Sequence, residues 1–162
     1  MHTASELGYT EPDPRIDLNG IDVKRKLIIL SREAGFNLPE KAIRIKTFLP
    51  AEVQKATDIR SFWEELTHSD GFFSKLINKA KKDKSKLRFI GRITAEGATL
   101  SLKAVSKENP FYHLNGSDNM IVFTTERYKE RPLIIQGPGA GAEVTASGVF
   151  AEILTIISML KD

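Results

Sequence analysis

The chain has 162 residues, with 24 Lys and Arg against 21 Asp and Glu for a net charge of +3, a length that suffices for one packed core. Hydrophobic residues make up 41% and charged residues 28%, ordinary globular values, and no stretch approaches the ~20 consecutive apolar residues of a membrane span. No cysteine is present, which excludes disulfides and thiolate metal sites and, with no apolar signal region in "MHTASELGYTE", leads to the expectation of a soluble, cytoplasmic protein.

The first element expected is a helix over 20–34, "GIDVKRKLIILSREA". Val23, Leu27, Leu30 and Ala34 recur at helical spacing with Ile21 and Ile28 beside them, forming a broad apolar stripe. Asn19 is placed to cap its start, with Asp22 three residues on in the manner of a capping box, and Gly35 is placed to end it. "AIRIKTF" (42–48) alternates apolar and polar residues and reads as a half-buried strand. "DIRSFWEEL" (58–66) and "GFFSKLINKAKK" (71–82) read as helices started by Asp58 and Asp70.

"KLRFIGRITAEGATLSLKAVS" (86–106) is two alternating runs separated by Glu96-Gly97, the pattern of a β-hairpin. "NMIVFTTERY" (119–128) adds a strand. "PLIIQGPGAGAEVTASGVFAEILTIISML" then gives a short strand, a glycine-rich turn and a long helix. The order predicts an α+β domain whose sheet is mostly antiparallel or mixed, with helices packed on one face.

Charge is concentrated in two places. "KLINKAKKDKSKLR" (75–88) holds six lysines; such a run is the solvated face of a helix or a surface for nucleic acid, and without interleaved aromatics the solvated face is the better reading. "GYTEPDPRIDLNGIDVKRK" (8–26) is more unusual. Asp22 and Lys26 stand four apart on one helix face in the favourable order, acid first. Pro12 and Pro14 stiffen the segment that carries Glu11, Asp13 and Asp17 towards the helix start. The pair is either a surface ion pair or part of a pre-organised site for a cationic group.

Two further stretches carry residues suited to chemistry. "QGPGAGAEVTASG" (136–148) puts glycines between a strand and a helix, where a phosphate can approach backbone N–H groups. The spacing is not G-x-G-x-x-G and Pro138 removes a donor, so a tight turn under a closely packed helix is an equal reading. The loop "ENPFYHLNGSDN" (108–119) reads as structural, because its serine lacks a G-x-S-x-G setting. His2, His68 and His113 have no ligand-spaced neighbours, and no metal is expected.

Taken together, "GYTEPDPRIDLNGIDVKRKLIILSREAG", "NPFYHLNGSDN" and "GPGAGAEVTASGVFAEIL" resemble the catalytic half of homoserine dehydrogenase, especially the form fused behind aspartokinase. The resemblance implies a substrate-binding and dimerisation domain over 1–135, followed by a glycine-rich turn and helix over 136–162 that would return to a Rossmann nucleotide domain lying outside this chain. It implies interconversion of L-homoserine and L-aspartate 4-semialdehyde with NADP or NAD, on the route to threonine, methionine and isoleucine.

By the same resemblance Glu11 would bind the substrate amine with Asp17 nearby, and Tyr9 and Thr10 would line the wall. Asp22 and Lys26 would stand at the reaction centre, with Lys26 as general acid/base. Gly139, Gly141 and Thr145 would contact the cofactor. Ile16 departs from the pattern, since many relatives carry a second acid there. A lysine is an ammonium at neutral pH, which suits it to protonate the aldehyde oxygen during reduction.

The expected partners are the substrate pair, a second copy of the chain across a two-fold axis, and fused nucleotide-binding and aspartokinase domains, with neither nucleic acid nor membrane. The chain alone is expected to be inactive. The rival reading is a non-catalytic dimerisation module.

Overall fold

The computed structural model describes residues 12–116, 118–139 and 141–160. Among them the chain divides after Ser106 into two compact units.

The first unit begins with a short helix, α1 (Pro14–Leu18), capped by Asp13 and carrying proline in its first turn, where the missing N–H costs nothing. Helix α2 (Ile21–Glu33) follows. Gly20 is its N-cap in a left-handed conformation, φ 77°. Asn19 still serves the helix start, because its Oδ1 accepts the N–H of Ile21 at 2.9 Å, yet the expected capping box with Asp22 does not form. The end follows expectation: Gly35 has φ 80°, with Gly35 N–H donating to Arg32 C=O and Phe36 N–H to Ser31 C=O, the paired bonds that close a helix on glycine.

A 3₁₀ turn (Glu40–Ala42) leads into β1 (Ile43–Lys46). Three helices come next: α3 (Ala51–Lys55), which the sequence reading lacked, α4 (Ile59–His68) and α5 (Asp70–Lys82). Asp58 caps α4 in a reciprocal capping box with Ser61. The cap of α5 is Ser69 rather than the expected Asp70, which lies inside the helix. The lysines at 75, 79, 81, 82 and 84 are exposed.

Strands β2 (Lys86–Thr94) and β3 (Gly97–Val105) form the expected antiparallel hairpin, with Ala95 and Glu96 at its tip. β1 pairs with β3 in parallel, aligning Ile43 with Ala98 and Ile45 with Leu100, so the sheet is mixed, in the order β1-β3-β2. Helices α2 and α5 pack on it.

Two apolar clusters hold the unit. Leu27, Ile43, Ala98 and Leu100 join helix to sheet, with Val23, Ile28, Ile45 and Phe89 around them. Leu49, Val53 and Phe62 join α3 to α4, with Leu18 of α1 against them. Burying each large side chain contributes roughly 1.5–3 kcal/mol. Phe48 and Phe89 meet edge to face, centroids 5.6 Å apart, where the clusters adjoin.

The second unit holds a 3₁₀ turn (Pro110–His113), an antiparallel pair β4 (Asp118–Phe123) and β5 (Leu133–Pro138), and α6 (Ala142–Met159). The strand expected over 119–128 thus ends at Phe123. Asn109 accepts the N–H of Phe111 at 3.0 Å, and His113 Nε2 meets Lys107 C=O at 3.2 Å, the structural role expected of this loop. Helix α6 is exposed throughout. It is also long and apolar enough to cross a membrane by length and composition, although Glu143 and Glu152 interrupt its apolar run.

Candidate active site

Asp22 and Lys26 lie on adjacent turns of α2. Lys26 Nζ stands 2.9 Å from Asp22 Oδ2, and about half of each side chain is exposed. An ion pair this wet contributes about 0.3–0.5 kcal/mol. Its interest is therefore placement more than stability: one cation and one carboxylate are held together on the solvent face of a helix whose other face is locked to the sheet.

That locking comes from residues on either side of the pair. Gly20 opens α2, and a side chain added there would meet the Phe89 ring at 3.0 Å. Leu27, the residue after Lys26, is 6% exposed and packs over Gly91 of β2. Lys24 Nζ bonds Glu40 Oε1 at 2.7 Å, tying α2 to the turn before β1, and it holds the Glu40 carboxyl below its usual range.

Asp17 is half-buried on α1, the helix that leads into α2 through the Asn19-Gly20 turn. Tyr9, Thr10 and Glu11 lie outside the described residues. Of the candidates for substrate and chemistry, the structure therefore places Asp17, Asp22 and Lys26 on two consecutive helices.

The sequence reading missed Arg15. Its Nε lies 2.9 Å and 3.0 Å from the two Asp13 oxygens, and Nη2 is 2.6 Å from Asp13 Oδ2. Nη1 donates to the carbonyls of Ala56 at 3.4 Å and Thr57 at 3.1 Å. Hydrogen bonding to Arg15 holds the Asp13 carboxyl below its usual range and raises the guanidinium in return. An aspartate before a proline at a helix start was the available signal.

In the second unit, Gly139 lies against Asn119, whose side chain fills the place a side chain at 139 would need. Gly141 takes φ 119° and caps α6 through its backbone, with no capping side chain. Thr145 turns inward along the helix, its hydroxyl donating to Gly141 C=O at 3.1 Å. The first turn of α6 thus has N–H groups without a side-chain cap, a place anions favour, but Glu143 sits in the same turn.

Fold and site define an α+β domain that offers a lysine–carboxylate pair to solvent on a sheet-anchored helix. The family model for homoserine dehydrogenase matches residues 1–154, and the chain belongs to that family. It is 45% identical over 159 residues to bifunctional aspartokinase/homoserine dehydrogenase 2, chloroplastic, of Arabidopsis thaliana, covering 97% of this chain and 17% of that one. It is 41% identical over 160 residues to homoserine dehydrogenase of Paracoccidioides brasiliensis, covering 97% and 43%.

Among solved structures, a Candida auris protein of unknown function matches with a TM-score of 0.86 at 39% identity, over 97% of this chain and 44% of that one. Homoserine dehydrogenase of S. aureus shares the fold, with a TM-score of 0.70 at 19% identity over 99% and 36%. The chain spans less than half the length of these curated relatives.

Proposed function

We propose that this chain is the substrate-handling part of a homoserine dehydrogenase, interconverting L-homoserine and L-aspartate 4-semialdehyde in the biosynthesis of threonine, methionine and isoleucine. The observation that carries this reading is the Asp22–Lys26 pair at 2.9 Å on a solvent-facing helix surface, within a chain that matches the family over residues 1–154.

In this reading the Lys26 ammonium gives a proton to the carbonyl oxygen during reduction, and in the oxidative direction the neutral amine form takes that proton back from the hydroxyl. Asp22 keeps the ammonium aimed across one helix turn. Glu11 and Asp17 pair with the substrate amine, a charge-assisted contact that fixes which carbon faces the cofactor. Tyr9 and Thr10 complete that wall.

NAD(P) supplies the hydride acceptor. The residues of this chain fit an edge contact with it and not a whole site. Gly139 and Gly141 leave room for a close backbone approach, and the start of α6 has no side-chain cap on its N–H groups. Glu143 in that turn disfavours a polyphosphate there, so the phosphates and adenine belong to a nucleotide-binding domain elsewhere in the polypeptide. In the same reading residues 1–135 bind substrate and dimerise, and residues 136–162 return to that domain, which covers the apolar surface of α6.

The test is homoserine-dependent reduction of NADP and of NAD by the full-length polypeptide, with this chain alone as control. Turnover by the former and none by the latter supports the reading. No turnover of homoserine by the full-length polypeptide overturns the function, and turnover by the chain alone overturns its division of labour.

A further inference from the structure

Asp17, which the proposed function assigns to the substrate amine, sits on the short helix α1. Helix α1 has five residues, too few to be stable by itself, and its connection to α2 runs through the left-handed Gly20. Its anchors include Pro14, which is buried, Leu18, which packs against the Leu49–Val53–Phe62 cluster, and Arg15, which reaches out of the segment altogether.

Arg15 uses its planar fork on two sides. One edge grips the Asp13 carboxylate through Nε and Nη2. The other reaches 41 and 42 residues along the chain to the carbonyls of Ala56 and Thr57. Those carbonyls lie between α3 and α4, where the extended turn has left the helical ladder, and the guanidinium satisfies them. An ammonium has no fork with which to do both at once.

The surrounding cleft, of about 420 Å³, is a joint and not a second ligand site. Its other polar groups already have partners within the fold. Gln54 Nε2 donates to Leu49 C=O at 2.7 Å, Thr47 Oγ1 accepts Leu49 N–H at 3.2 Å, and Asn19 Oδ1 accepts Ile21 N–H.

We propose that Arg15 is a positioning residue for substrate recognition: by clamping Asp13 to the Ala56 and Thr57 carbonyls, it holds helix α1, and Asp17 with it, where the substrate amine must land. The inference rests on the homoserine dehydrogenase reading. It concerns the amine alone, so it predicts a lesion that general destabilisation does not produce.

The experiment uses the full-length polypeptide with Arg15→Met, Arg15→Lys and Asp13→Asn. Three quantities are measured: KM for homoserine, KM for the cofactor, and the inhibition constant of 4-hydroxybutanoate, which carries the same alcohol without the amine. The inference predicts that Arg15→Met raises the homoserine KM by roughly tenfold to hundredfold and leaves the other two within about twofold. Arg15→Lys recovers part of the loss.

Asp13→Asn, which keeps the bonds to both carbonyls, shows the same selective change at smaller size and decides the matter if Arg15→Met does not fold. Equal change in the homoserine KM and the 4-hydroxybutanoate constant, or no change in either, overturns the inference while leaving the enzyme reading intact. A wild-type polypeptide that does not turn over homoserine removes both.

Discussion

Leu27 occupies the space that a side chain at position 91 would need. A Cβ built on Gly91 falls 2.8 Å from Leu27 Cδ2 and 2.9 Å from Cδ1, so helix α2 rests against bare backbone in the middle of β2. Since Leu27 follows Lys26 directly, this contact sets the height of the lysine above the sheet. Gly91→Ala is expected to destabilise the fold by about 1–3 kcal/mol through overpacking. Adding Leu27→Ala should make the second change cost less than it does alone, a non-additivity that a urea-denaturation cycle over the four variants reads directly.

The second core cluster depends on Phe62, which is 1% exposed and joins α4 to α3 and α1. Phe62→Ala should cost about 3–5 kcal/mol and loosen the α3–α4 joint on which Arg15 acts. A denaturation midpoint within error of the wild type would contradict that packing.

Acid should weaken the Asp13–Arg15 clamp. Asp13 is held below its ordinary value chiefly by hydrogen bonding to Arg15. A depressed carboxyl contributes stability that is present above its unfolded value, about 3.9, and is lost as pH falls through the lower folded value. Melting temperature should therefore drop between neutral pH and pH about 3. Asp13→Asn should flatten its share of that slope, and a slope identical to the wild type would show that the carboxylate does not carry it.

Helix α6 leaves Phe150, Ile153, Leu154, Ile156 and Ile157 exposed, and β5 leaves Leu133, Ile134 and Ile135 exposed. Exposed apolar surface of this extent favours association. The isolated chain is expected to associate in solution, with β5 in the two-fold interface. Light scattering at several concentrations checks this. Ile135→Lys should reduce association, and a strict monomer for the wild type would rule out dimerisation by this chain alone.

The sequence shows the parts of this fold that are local. The i, i+4 relation of Asp22 and Lys26, the stop at Gly35 and the capping aspartate at 58 are read from neighbouring residues, because hydrogen bonds a few positions apart fix them. Helix α1 escaped because five residues show no periodicity. Gly20 took the cap expected of Asn19, since the left-handed backbone carries the bend from α1 into α2. The parallel pairing of β1 with β3 and the reach of Arg15 to Ala56 and Thr57 join residues over 40 positions apart, and no local pattern names such partners. The separation into two sheets is hidden for the same reason, as a strand's alternation gives its exposed face and not its neighbour.

The proposed amine contact makes a separate prediction at Glu11. Glu11→Gln in the full-length polypeptide should raise the homoserine KM with a small change in kcat, because the contact is made in the ground state and the transition state alike. An unchanged KM would remove Glu11 from the site.

The most direct test of the account is Lys26→Ala in the full-length polypeptide, with homoserine turnover and cofactor binding measured on the same preparation. The account predicts that kcat falls by about 10²-fold or more while cofactor affinity stays at the wild-type value. Near-normal turnover would contradict the assignment of Lys26 as the group that moves the proton.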